Sequence, residues 1–178
     1  MEYYELKKLN QTQLDQCAIL LHEELSNGWK TIEDAYDEIE ELIQSDGYFY
    51  ALIDNEKIIG WGGILPSYQG NVYEIHPMVI KNSYQNKGYG GLLLKHLEDK
   101  ARSLGGLTIY AASDDEFEDR KSSLRGIDGY KDIYDKMKTF DPKNHPARFY
   151  IKYGYQLIGL MPDANGIGKH DLILGKRL

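Results

Sequence analysis

Val72-Tyr73-Glu74-Ile75-His76-Pro77-Met78-Val79-Ile80 is followed by Lys81-Asn82-Ser83-Tyr84, by Gln85-Asn86-Lys87-Gly88-Tyr89-Gly90-Gly91, and by an apolar-periodic run over residues 92–104. The first segment reads as a strand, the second as a polar turn, the third as a glycine-bearing loop and the fourth as a helix. That order makes an anion cradle. Glycines let the backbone turn tightly and come close to a phosphate, and the free N–H groups and dipole of the helix start favour negative charge.

The flanks extend this reading outward. Upstream, Tyr3 to Leu9 alternates weakly, as a first strand would. Asn10 with Gln13 three residues on resembles a capping pair, opening a helix through Leu14, Ala18, Leu21 and Leu25. Ser26-Asn27-Gly28 ends it and leaves Trp29 in a loop. Thr31 then caps an amphipathic helix with Ile32, Ala35, Tyr36, Ile39, Leu42 and Ile43 on one face. Its other face, which includes Glu33, Asp34, Asp37, Glu38, Glu40 and Glu41, reads as a solvated surface, or as an entrance lining for a cationic substrate. Residues 48–53 and 57–65 form a hairpin around Asp54-Asn55-Glu56, and Gly60, Gly62 and Gly63 in its second strand signal a bulge or a close backbone approach. Tyr68 stands in the turn-rich loop that leads into the central strand.

Downstream, Gly105-Gly106 stops the helix and residues 107–112 read as a buried strand, a right-handed parallel crossover unit if it pairs with residues 72–80. Residues 113–146 are the least regular. They open with the acids Asp114, Asp115, Glu116, Glu118 and Asp119, and later carry Tyr130, Ile133, Tyr134, Met137 and Phe140 at helical spacing. Asn144-His145-Pro146 looks like the start of a short helix bearing Phe149, Tyr150 and Tyr153. Residues 155–161 and 171–176 are two closing strands. No repeat, linker or low-complexity segment interrupts this pattern, so a single α+β domain over residues 1–178 is expected.

Composition narrows the function classes. The 178 residues are 42% hydrophobic and 28% charged with a formal net charge of −7, which argues against a general nucleic-acid binder or an anionic-membrane binder. It suits a cationic partner, although solubility alone accounts for such a charge. Cys17 is the single cysteine, so neither an internal disulfide nor a multi-cysteine zinc site is expected, and His76 and His145 show no metal-ligand spacing. The start Met1-Glu2-Tyr3-Tyr4-Glu5 lacks signal-peptide character, and no apolar run nears the roughly 20 residues of a membrane span, so a cytoplasmic protein is expected. Fifteen tyrosines against four phenylalanines suggest aromatic surfaces with polar tips at a pocket or subunit interface.

The glycine loop itself excludes two nucleotide motifs. A dinucleotide fingerprint counted from Gly88 would need glycine where Leu93 stands, and no Walker loop is present. What stands there is Gln85-x-x-Gly88-x-Gly90, which resembles the Q/R-x-x-G-x-G/A acetyl-CoA signature of the GNAT superfamily of N-acetyltransferases. The ordered segments Tyr73 to Val79, Tyr110 to Asp115, His145 to Tyr150 and Pro162 to Gly166 resemble the bacterial aminoglycoside 6′-N-acetyltransferases within it, over roughly residues 60–175. Tyr73 stands where close relatives carry tryptophan, and Ser113 where they carry threonine.

This resemblance implies a GNAT fold: a mixed, mostly antiparallel central sheet with a splayed parallel strand pair and helices on both faces. It implies acetyl-CoA as co-substrate without a metal, with Gln85, Asn86, Lys87, Gly88, Tyr89, Gly90 and Gly91 at the pyrophosphate. His76, Met78, Val79 and Ile80 would lie along the pantetheine arm. It also implies a homodimer and an aminoglycoside substrate.

The chemistry can be argued from the residues as well. An alkyl ammonium with a pKa of about 10 must lose its proton before it attacks a thioester. Glu74, a carboxylate in the central strand, is the first candidate base, and Asp115 at the end of a core strand is the second. The alternative for each is plain solvation. Tyr150 is a candidate proton donor to the departing thiolate, or simply a packing aromatic. Backbone N–H groups near Met78, Val79 and Ile80 would hold the carbonyl oxygen. Glu74, Asp115, Glu116, Trp29 and Tyr68 are candidate substrate contacts. An acetyltransferase for another small amine and a non-catalytic CoA-binding sensor remain open alternatives.

Overall fold

The computed structural model describes residues 2–178. The chain forms two compact units, Met1–Gly106 and Leu107–Leu178.

In the first unit, strands β1 (Glu2–Glu5), β2 (Tyr48–Asp54), β3 (Lys57–Ser67) and β4 (Val72–Ile80) follow one another in an antiparallel sheet. The first strand is shorter than its alternation suggested. After Glu5 the chain turns into a short 3-10 helix that sinks Leu6 into the core at 1% exposure.

Helices α1 (Gln11–Glu24) and α2 (Ile32–Gln44) each begin with a full capping box. Asn10 accepts from the Gln13 N–H and Gln13 returns the bond, and Thr31 and Asp34 do the same. Each cap contributes about 1 kcal/mol and fixes where its helix starts. Cys17, Leu21, Ile39 and Leu42 pack with Phe49 and Trp61 into the core of this unit. The Trp61 indole N–H donates to the Cys17 carbonyl at 3.0 Å, pinning α1 to β3. Tyr36, placed on the apolar face by its spacing, is 38% exposed.

Two glycines have identifiable geometric work. A Cβ on Gly62 would meet the Pro77 carbonyl oxygen at 2.7 Å, so β3 and β4 approach too closely for a side chain there. Gly88 sits at φ 91° and is the N-cap of α3 (Tyr89–Ser103), a conformation that favours glycine. Helix α3 therefore begins earlier than expected, and Gly90 and Gly91 lie in its first turn rather than in the loop. Its buried Leu93, Leu94 and Leu97 follow the helical period, and it packs on β3 and β4.

In the second unit, β5 (Thr108–Asp114), β6 (Gln156–Met161) and β7 (Asp171–Arg177) form an antiparallel sheet in the order β5-β7-β6. The strand expected to stop at Ala112 carries on to Asp114. Helix α4 (Ile133–Lys138) covers only the middle of the predicted run, and Tyr130 and Tyr134 are 78% and 81% exposed, so that spacing does not mark a buried face. Helix α5 (Ala147–Lys152) follows Pro146 as expected and packs on β7.

Residues 113–146 are held by polar contacts around one buried apolar side chain, Leu124. Gly126 N–H bonds the Gly168 carbonyl at 2.8 Å, Arg125 donates to the same carbonyl and to Glu118, and Ser123 N–H bonds the Asp141 carbonyl. Two buried histidines complete this frame. His145 Nδ1 accepts from the Ala147 N–H at 3.1 Å, so its Nε2–H must donate to the Asp114 carbonyl at 2.9 Å. His170 repeats the arrangement, with Nδ1 accepting from Asp163 N–H and Nε2–H donating to the Ile127 carbonyl.

Candidate active site

Strand β4 alternates strictly between partly exposed and buried residues through Val79. Tyr73, Ile75, Pro77 and Val79 are buried, while Glu74, His76 and Met78 stay partly open. Glu74 therefore sits on the more accessible side of a core strand, the side it shares with Val72 and His76.

His76 is not bare. Its Nε2 lies 3.1 Å from Glu38 Oε1 on α2, and the Trp29 indole N–H donates to Glu38 Oε2 at 3.2 Å. The Trp29 and His76 rings lie 6.0 Å apart. His22 Nδ1 is 2.9 Å from the Trp29 carbonyl and steadies the loop between α1 and α2. The hydrogen bond from His76 holds the Glu38 carboxyl below its ordinary value, with Trp29 adding to the effect against burial. In return Glu38 raises His76 above its ordinary value, against burial, and the charge of Glu74 adds to this. Glu38 belongs to the face that the sequence leaves as a solvated surface or an entrance lining; its side chain is 21% exposed and paired. One signal was available: Glu38 follows Ala35 by three residues and precedes Leu42 by four, so it borders the buried stripe.

The glycine loop follows β4 after a short 3-10 turn at Asn82–Tyr84. The Gln85 side-chain amide donates to the Ile80 carbonyl at 2.9 Å, tying the loop back to the strand end. Lys87 Nζ bonds the Ser83 carbonyl at 2.8 Å and lies 5.5 Å from the Tyr84 ring centroid. No side chain caps α3, and nothing lies within 4 Å of where a Gly88 Cβ would stand. The first-turn N–H groups at Tyr89, Gly90 and Gly91 are thus presented for an anion. This cradle fits the pyrophosphate of a coenzyme A derivative. Tyr68 is 78% exposed at a left-handed turn position.

In the second unit Asp115 is fully buried. Both of its oxygens accept from Ser122, from the backbone N–H at 3.0 Å and the hydroxyl at 2.6 Å, and its own N–H bonds the His170 carbonyl. His145 Nε2 stands 4.0 Å away. Ser122 and His170 carried no sequence signal, since each draws its role from a partner distant along the chain. Glu116 is partly buried, and its backbone carbonyl lies 3.5 Å from an Arg125 nitrogen.

Tyr150 on α5 is half-buried, with its ring 5.2 Å from Phe149 and 5.4 Å from Tyr155. Burial pushes its phenol up to about 12. Cys17 is buried and pushed up to about 12 by desolvation, so it offers no thiolate for a covalent route. A cleft of about 670 Å³ lined by Glu2, Tyr4, Gln16 and Asp54 contains none of the candidate site residues. Among the described residues no cluster of three metal-ligating side chains occurs, and no helix is long and apolar enough to cross a membrane.

An uncapped glycine-led helix thus follows a core strand that carries a partly open glutamate, and the family model described as Acetyltransferase (GNAT) family matches residues 14–125. The chain belongs to the GNAT family of acetyltransferases. Among solved structures it is similar to an aminoglycoside 6′-N-acetyltransferase complexed with coenzyme A, with a TM-score of 0.90 and 30% identity over 99% of this chain and 97% of that one. The aminoglycoside 6′-N-acetyltransferase from Enterococcus faecium gives a TM-score of 0.88 at 30% identity over the same shares. An aminoglycoside 6′-acetyltransferase type Ii gives 0.76 at 26% identity, again over 99% and 97%. Comparison with curated proteins found no match. These likenesses establish the α+β GNAT fold expected from the glycine loop and its flanks.

Proposed function

We propose that this chain transfers the acetyl group of acetyl-CoA to the 6′-amine of aminoglycosides, by direct attack within a ternary complex, with the two units working as one catalytic domain. The observation that carries the reading is the full-length likeness to two aminoglycoside 6′-N-acetyltransferases, one of them crystallised with coenzyme A. The formal charge of −7 supports it, because a polycationic substrate is drawn to a negative protein.

Deprotonating an ammonium of pKa about 10 at pH 7 costs roughly 4 kcal/mol. Glu74 takes that proton directly or through a water, and the freed amine attacks the thioester carbonyl. Backbone N–H groups at Met78, Val79 and Ile80 receive the charge that builds on the carbonyl oxygen. As the tetrahedral centre collapses, the new C–N bond is kept and the C–S bond breaks. Met78, Val79 and Ile80 also align the pantetheine arm, and Gln85, Asn86, Lys87, Gly88, Tyr89, Gly90 and Gly91 bind the pyrophosphate.

Tyr150 faces a mismatch in this scheme. A phenol at about 12 is some 3.5 units above a free thiol near 8.5, so full transfer to the departing thiolate is uphill by roughly 5 kcal/mol. Its role here is to donate a hydrogen bond to the thiolate as charge develops, with the proton arriving from solvent. Trp29, Glu116 and Tyr68 are proposed substrate contacts. Asp115 has a structural role at Ser122, and any part in proton relay would run through that contact.

A homodimer is part of this proposal. β6 lies at the end of the strand order in its unit and exposes Ile158 and Met161, which suits an intersubunit contact. The decisive experiment follows acetyl-CoA turnover with kanamycin-type compounds alongside spermidine and peptide amines. Turnover confined to compounds with a 6′-amine is expected; turnover of other amines alone would refute the substrate assignment.

A further inference from the structure

Resting on the acetyl-transfer reading, we infer that Glu38 is a positioning residue for it, acting through His76 and Trp29 to set the orientation and charge beside Glu74. The geometry is a clip of three hydrogen bonds that joins four segments of the chain. Glu38 spends one carboxylate oxygen on His76 Nε2 at 3.1 Å and the other on the Trp29 N–H at 3.2 Å. Trp29 is tied in turn to α1 through its carbonyl and His22 Nδ1, at 2.9 Å. Thus α1, the connecting loop, α2 and β4 converge on one pair of side chains two residues from Glu74. A carboxylate with both oxygens engaged has little freedom to bind substrate itself, so its contribution passes through the groups it holds.

The charge balance shows what the clip does. The titratable groups around His76 are Glu38 from α2 and Glu74 from its own strand, with His22 of α1 one bond further away behind Trp29. If His76 were neutral, the Glu38 carboxylate would meet no opposite charge in its hydrogen bond. With His76 protonated, the Glu38 charge is compensated within its own hydrogen bond. Glu74, two residues along the same strand, then lies beside an oriented and charge-balanced pair. Glu38 favours that protonated state, and its hold on Trp29 keeps an aromatic wall against the imidazole.

The test uses Glu38→Gln, which retains the size and an acceptor for Trp29 but cannot ionise, and Glu38→Asp, which retains the charge. His76 is followed by its imidazole Cε1–H resonance across pH, and Trp29 by emission, with Trp29→Phe as the subtraction control because Trp61 is the only other tryptophan. In Glu38→Gln the His76 titration should move to lower pH. kcat should fall about tenfold near neutral pH, while the Kd for CoA stays within about twofold. Glu38→Asp should restore part of both the titration and the rate. An unchanged His76 titration in Glu38→Gln overturns the inference, as does an unchanged kcat and pH profile. If no 6′-amine is acetylated, the substrate proposal fails alone, because the resonance and emission titrations need no turnover and still decide whether Glu38 controls His76.

Discussion

Ser122 donates two hydrogen bonds to Asp115, from its backbone N–H at 3.0 Å and its hydroxyl at 2.6 Å, and Asp115 has no exposed surface. A carboxylate used in this way closes a loop. Replacing it with asparagine would set an amide N–H₂ against one of two donors and leave a buried group unsatisfied, at about 2 kcal/mol. Asp115→Asn should therefore lower Tm by several degrees while kcat per folded molecule drops less than about tenfold. Calorimetry with active-site titration checks this. An unchanged Tm with kcat down a thousandfold would give Asp115 a direct part in proton transfer.

Glu74 has the opposite character, being partly open and adjacent to the clip. Glu74→Gln should reduce kcat by about 10² to 10³ at neutral pH, the range of a lost general base, with the Kd for CoA unchanged. Because the variant lacks the base, raising the pH toward the amine pKa should recover part of the rate. Steady-state kinetics between pH 6 and 9 read both effects. A flat recovery in the variant would place the base elsewhere.

For Tyr150, the phenol at about 12 predicts hydrogen-bond donation rather than complete proton transfer. Tyr150→Phe should cost about 10- to 100-fold in kcat, as one lost charge-assisted bond does. A thioester with a better thiol leaving group should narrow that gap. Comparing acetyl-CoA with such an analogue in both proteins is the measurement, and an equal loss with both thioesters would remove Tyr150 from the leaving-group step.

Gly88 stands at φ 91° with open space where a Cβ would go, so Gly88→Ala meets no clash and carries mainly backbone strain, about 1 kcal/mol. The added methyl also stands at the mouth of the cradle. Weaker CoA binding, by about tenfold in calorimetric titration, is expected together with only a small change in Tm. A large loss of stability without a change in Kd would contradict the anion-cradle role.

The Glu38–His76 pair gives a pH signature to stability. His76 is raised in the folded state, so its contribution is fully present below its unfolded pKa and fades as pH rises through the folded one. Glu38 is lowered, so its contribution is present above the ordinary carboxylate value and fades as pH falls through the folded one. The pair therefore stabilises most in mildly acidic solution, by no more than about 1 kcal/mol because it is partly exposed. His76→Gln should lower Tm more at pH 5.5 than at pH 8.5. Thermal melts at the two values decide it.

Several parts of the fold were legible because their causes are local. Asn10 with Gln13, and Thr31, announced helix starts through bonds spanning three residues. Gly62 and Gly88 marked a close approach and a left-handed turn that side chains resist. Alternation along β4 placed Glu74 on the open side. The strand predicted to run to Leu9 stopped at Glu5 because burying Leu6 outweighed a weak alternation. The run from Tyr130 to Phe140 does hold a helix, over Ile133–Lys138, but helical spacing shows which residues share a face and not whether anything covers it.

The sequence by itself determined the cradle and the family: strand, Gln85-x-x-Gly88-x-Gly90 and helix depend on spacing and backbone freedom, which are readable along the chain. Only the tertiary structure decided which acids are exposed and which are held. Glu38 and Asp115 looked alike as members of acidic runs, yet one clips His76 and Trp29 while the other closes a loop through Ser122. The partners of Glu38 lie 9 and 38 residues away, and that of Asp115 lies seven residues away across an irregular loop. Hydrogen bonds of that kind depend on where the folded chain brings its segments, and no local pattern records them.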